Sequence, residues 1–108
     1  MEKHCFKITI PVNYNSGNPF ARKVPDRVID DYVNEATEIC GGATLHSESL
    51  GYWHGEGGLL YREPVRVLEA IGDFGDYGAL YDLALRIKKE LNQEAVLFTY
   101  HGIEAEFV

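Results

Sequence analysis

Six side chains in this sequence could together hold a small molecule: His46, Glu48, Arg66 and His101, with the hydroxyls of Thr9 and Thr99. Arginine presents a planar fork of donors that matches a carboxylate or phosphate, and imidazole donates, accepts or carries a proton near neutral pH. Brought to one face, these groups make a ligand-binding site for an anion; left apart, they are a solvated sheet face or a polar dimer seam. A second group, Tyr52, Trp53, His54, Tyr61 and Arg62, flanks Gly55-Glu56-Gly57-Gly58. Exposed aromatic rings and arginine anchor interfaces, and flat rings also stack on a planar, nucleotide-like ligand.

Other chemistries find less in the residues. Cys40 falls on an apolar helical stripe with no base recognisably beside it, and Ser47 and Ser49 lack the glycine-flanked elbow of a hydrolase, so no catalytic residue is assigned. His46, His54, His101, Glu48 and Glu56 come without a His-x-x-x-His or Cys-x-x-Cys spacing, so no metal is expected. Glu56-Gly57-Gly58 leads into a strand rather than a helix, which makes it a turn and not a phosphate cradle. No cofactor motif is present.

The elements that must position these side chains follow from periodicity. Phe6, Ile8, Ile10, Val12 and Tyr14 alternate with polar residues, the pattern of a half-buried strand. A loop from Asn13 to Pro25 precedes a helix that starts at Pro25-Asp26, carries Val28, Ile29, Tyr32, Val33, Ala36, Ile39 and Cys40 on one stripe, and stops at Gly41-Gly42. The stretch Ala43 to Ile71 predicts a long β-hairpin turning on its glycines. Pro64 cannot donate to a ladder, which predicts that the second arm divides there: Val65 to Ile71 embedded in the sheet, Leu59 to Glu63 in a projecting ribbon. Asp76 suits the N-cap of a second helix carrying Leu80, Leu83, Ala84, Ile87 and Leu91. Glu94 to Tyr100 is a further strand, and Gly102 allows a bend before an extra C-terminal strand over Ile103 to Val108.

Strand, helix, strand, strand, helix, strand in one chain predicts an α+β domain, a ferredoxin-like antiparallel sheet with two helices on one face. On this reading Phe6, Ile8, Ile10, Leu45, Val65, Val67, Val96 and Phe98 face the helices. Lys7, Thr9, Thr44, His46, Glu48, Arg66, Leu68, Leu97, Thr99 and His101 take the open side.

At 108 residues the chain is one domain, and its 45% hydrophobic and 12% aromatic content is that of a globular core. Seventeen acidic against 10 basic residues give a net charge of -7, which opposes nucleic acid or an anionic membrane as partner. Two cysteines and an opening without a charged-then-apolar leader predict a cytoplasmic setting, although a Cys5–Cys40 disulfide stays open. No apolar run approaches a membrane span.

Gly51-Tyr52-Trp53, Arg62-Glu63 and Gln93-Glu94-Ala95-Val96 together resemble the small ferredoxin-like proteins of bacteria and their phages. That resemblance implies the architecture and a tendency to pair through the sheet, but no activity, since this fold hosts enzymes, sensors and interaction modules. The leading expectation is a non-enzymatic homo-oligomer, a homodimer in the simplest case, holding a small anionic or aromatic molecule, with a phage-type sequestering protein as one form. One alternative is a cofactor-independent isomerase or monooxygenase of the dimeric α+β-barrel kind, with His46 or His101 carrying a proton and Arg66 orienting an acid. The other is a protein-binding module acting through its acidic helices.

Overall fold

The computed structural model describes residues 1–15 and 20–108. Strand β1 (Glu2–Pro11) leads to helix α1 (Asp26–Cys40). Then come the short β2 (Thr44–Leu45), β3 (Ser49–His54) and the long β4 (Leu60–Gly72), followed by helix α2 (Tyr77–Glu90) and β5 (Phe98–Glu104). The sheet is antiparallel in the order β2-β4-β1-β5, and β3 continues the edge beside β4. This is the expected ferredoxin-like α+β arrangement.

Both helices cover one face. Phe6, Ile8 and Ile10 of β1 and Leu68 of β4 meet Ile29, Tyr32 and Ala36 of α1 and Leu80, Leu83 and Ile87 of α2 in one buried cluster. Each fully buried side chain of this size contributes about 1.5–3 kcal/mol, so the interlocked stripes hold the helices on the sheet. Tyr32 carries a polar end into that packing, and its hydroxyl donates to Glu90 Oε1 at 2.6 Å, tying α1 to α2. Arg86 of α2 reaches back to Glu35 of α1 as an ion pair.

Helix α1 starts behind Pro25 and ends at Gly41, whose φ of 87° is the left-handed cap expected there and whose N–H bonds to Thr37 O at 2.7 Å. Helix α2 begins at Tyr77 with Asp76 at the N-cap position expected, although the Asp76 side chain makes no cap bond to α2. A 3-10 turn over Phe74–Asp76 precedes it, and the Asp73 N–H donates back to Asp76 Oδ2 at 2.9 Å. Part of the Asn13–Pro25 loop, residues 16–19, lies outside the described residues. Its flanks close on each other through Tyr14 N–H to Arg22 O at 2.9 Å and Val24 N–H to Val12 O at 2.6 Å.

Three local expectations change. First, β4 does not divide at Pro64 but runs through it as one 13-residue strand. The alternation of the ladder points Pro64 toward β1, which has just ended, so its missing N–H removes no bond to β3. Its carbonyl accepts from Val12 N–H at 3.1 Å. Second, the faces of β4 are the reverse of those expected. Arg66 opposes Ile10 and Leu68 opposes Ile8 on the helix side, while Val65 and Val67 oppose Pro11 and Thr9 on the open side. Third, no separate C-terminal strand forms: β5 pairs with β1 without interruption from Phe98↔Ile8 to Glu104↔Glu2, straight through Gly102, and residues 105–108 lie outside any strand. The expected strand over Glu94 to Tyr100 begins only at Phe98.

Candidate functional site

A β-bulge shapes the uncovered face. His46 N–H bonds to Val67 O at 2.9 Å and Ser49 is paired with Val65, so Ser47 and Glu48 together oppose the single residue Arg66. Two residues against one shift the alternation by one position, and Thr44 and His46 before the bulge share the open face with Ser49, Gly51 and Trp53 after it. Arg66 fastens the distortion by donating from Nε to the His46 carbonyl at 3.0 Å.

Beyond the bulge β3 and the start of β4 form the predicted ribbon, turning at Gly57 and Gly58, whose φ angles of 75° and 77° suit glycine. Its open side carries Trp53 against Tyr61, ring centroids 5.8 Å apart, and Tyr61 lies where a Cβ on Gly55 would clash. Its other side carries Leu50, Tyr52, Leu60 and Arg62. His54 Nδ1 donates to Gly58 O at 3.2 Å, closing the turn.

At the root of the ribbon the open face holds a cavity of about 460 Å³. Its floor is Thr9 and Pro11 of β1 with Val65 of β4. One wall is Gly51, Tyr52, Trp53 and Glu63, and the other is the segment from Ala95 to Leu97. That segment is drawn across because Thr9 N–H bonds to Leu97 O at 3.0 Å. The walls are aromatic and aliphatic apart from Thr9 and Glu63, and Glu63 is only 8% exposed. Glu63 already has an interaction within the protein, and with about four lone-pair sites its carboxyl group can accept from a further donor as well.

The structure does not gather the six expected ligand-binding residues. His46 lies on the open face with Nε2 3.1 Å from Glu69 Oε1. Thr99 and His101 lie on the same face farther along, opposite Lys7 and Cys5. Glu48 is exposed in the bulge, and Arg66 leaves the opposite face. Only Thr9 reaches the cavity. Of the ribbon residues Tyr52 and Trp53 line it, Tyr61 supports Trp53, and His54 and Arg62 point to solvent. Sequence reasoning missed Glu63, Gly51, Val65 and the 95–97 segment as cavity walls. Counting every second residue from Tyr61 through Glu63 and Val65 to Val67 without stopping at Pro64 would have placed Glu63 on the side of Trp53.

Both cysteines are free thiols. Burial pushes the Cys40 thiol up to about 11, reinforced by the Asp76 and Asp73 carboxylates, so it is protonated at neutral pH and no nucleophile. No group of three or more His, Cys, Asp or Glu side chains able to hold a metal ion occurs among the described residues. No helix among them is long and apolar enough to cross a membrane.

These features define a ferredoxin-like domain with a cavity on its uncovered face. No protein-family model and no curated protein matches the chain. Solved structures do. A phage SAM lyase in complex with S-methyl-5'-thioadenosine superposes with a TM-score of 0.69 at 16% identity, covering 98% of this chain and 92% of that one. The divalent cation tolerance protein CutA1 of Thermus thermophilus gives 0.66 at 12% identity over 99% and 88% of the two chains. CutA1 of Oryza sativa gives 0.63 at 11% over 99% and 84%. The likeness at these identities is one of fold, and the phage and Thermus thermophilus matches are of the small phage and bacterial kind that the sequence resembles.

Proposed function

We propose that this chain is a small-molecule-binding domain whose open-face cavity takes a nucleoside bearing a thioether or sulfonium, and that it sequesters this ligand rather than converting it. The observation that carries the reading is the cavity itself, with Glu63 set into a wall otherwise made by Trp53, Tyr52 and aliphatic groups. Ligand pockets run from about 300 to 1,000 Å³, and this one falls within that range. Trp53 offers a ring on which a purine stacks. Glu63 offers oxygens to ribose hydroxyls or a counter-charge to a sulfonium. The likeness in fold to a lyase solved with S-methyl-5'-thioadenosine supports the same class of ligand. The aromatic half of the expected ligand is thus favoured over the anionic half, since no lysine or arginine lines the cavity among the described residues.

Calorimetric titration with S-methyl-5'-thioadenosine and with S-adenosylmethionine tests this. At least one should bind saturably, Glu63→Gln should weaken it about tenfold or more, and chromatography should recover it unchanged. Absence of binding by both would remove the proposal. Appearance of S-methyl-5'-thioadenosine from S-adenosylmethionine would turn the domain into an enzyme of the lyase kind.

We also infer a homo-oligomer. The ribbon exposes Leu50, Leu59 and Leu60 at 55%, 64% and 62%, a concentration of apolar surface that a second copy would cover. A monomeric mass in solution at micromolar concentration would contradict this.

A further inference from the structure

A separate cavity of about 360 Å³ opens at the far end of the edge where β2 stops short. Its walls include Cys40, Gly41 and Gly42 at the end of α1, Thr44 of β2, Glu69 of β4 and Phe107 of the C-terminal tail. None of these residues lines the Trp53–Glu63 cavity.

Three features give this cavity a negative lining. The carboxyl end of a helix carries about half a negative charge, and the last turn of α1 contains no basic residue to offset it. Glu69 contributes a carboxylate, of which His46 meets one oxygen at 3.1 Å while Lys7 stands across the strand pair. Asp76 lies near enough to Cys40 that its charge helps push the thiol upward, whereas the lesser contribution of Asp73 is offset by Lys3, whose Nζ meets Asp73 Oδ1 at 3.0 Å. Phe107 and Ile71 supply apolar surface beside it. An aromatic ring next to a carboxylate and a helix carboxyl end is a setting that accepts an ammonium group. A metal cation is a poor match, since no set of three metal-binding side chains is present among the described residues.

We propose that this cavity is a second site, taking a small organic cation with a primary ammonium on a short apolar or aromatic body. The ammonium sits between Glu69 and the end of α1, and the body lies against Ile71 and Phe107.

Nuclear magnetic resonance on the full chain tests this with tyramine and with tyrosol, which has the same body but a hydroxyl in place of the ammonium. Tyramine should give saturable shifts concentrated at Gly41, Gly42, Thr44 and Phe107, and tyrosol should give none at the same concentration. Glu69→Gln should weaken tyramine about tenfold, while Glu63→Gln should leave it unchanged, which separates this site from the nucleoside cavity. Should Glu69→Gln fail to fold, the exposed Phe107→Ala reads out the same loss. Equal response to both compounds, shifts that do not saturate, or full affinity in Glu69→Gln or in Phe107→Ala would overturn the proposal.

Discussion

Glu63 and Arg66 exchange the roles that their residue types imply. Arginine is the natural anion receptor, but here its Nε is spent on the His46 carbonyl at 3.0 Å. The glutamate, a type most often solvated, is nearly buried in a cavity wall. What decides is the face each side chain leaves from, and the two lie an odd number of residues apart on one strand. Cys40 illustrates a second residue-scale effect, with a sign that can be checked. The unfolded thiol ionises near its ordinary 9.0 and the folded one near 11, first because of burial and then because of Asp76 and Asp73. Between those values the unfolded chain has lost a proton that the folded chain keeps, so stability falls as pH rises through the window. Alkylation of Cys40 by iodoacetamide should show an apparent pKa near 11. The denaturant midpoint should fall more steeply between pH 9 and 11 in the wild type than in Cys40→Ser. Rapid alkylation at pH 7 would show the thiol to be activated instead.

Strand β4 is the element on which the sequence reading and the structure part. The alternation of β1 was legible because Lys7 and Thr9 interrupt its apolar residues. In β4 both faces are apolar: Val65 and Val67 line the open side while Leu68 and Ala70 enter the core, so hydrophobicity carries no phase. With no phase to read, Pro64 was the remaining signal, and it marks the point where β1 ends rather than a break in β4. The bulge at Ser47-Glu48 left no trace in composition, since it consists of polar residues that suit a strand edge equally well. If Arg66 serves this bulge, Arg66→Ala should cost about 0.5–1.5 kcal/mol in urea denaturation. Binding of a nucleoside ligand should survive at nearly full affinity. Affinity lost with stability intact would return Arg66 to the ligand.

For the whole molecule, the architecture was legible because it rests on two amphipathic helices and on glycine and proline punctuation, each local in sequence. The cavity was not, because its walls come from Thr9, Trp53, Glu63 and Leu97, which meet only after the sheet has formed. The open side, expected to mix polar and apolar groups, carries an apolar cavity at the root of the ribbon and a polar strip through Lys7, Glu69 and Thr99, and a second cavity opens at the sheet edge beside the end of α1. The negative total charge agrees with that arrangement, favouring neutral or cationic ligands over anionic ones.

Trp53 is the only tryptophan in the chain and it lines the cavity, so its fluorescence reports occupancy without a label. On titration with S-methyl-5'-thioadenosine, its emission should change along a saturating curve, and Glu63→Gln should shift that curve to about tenfold higher concentration. An emission that stays flat to millimolar nucleoside, or one that responds identically in Glu63→Gln, would contradict a nucleoside seated between these two residues.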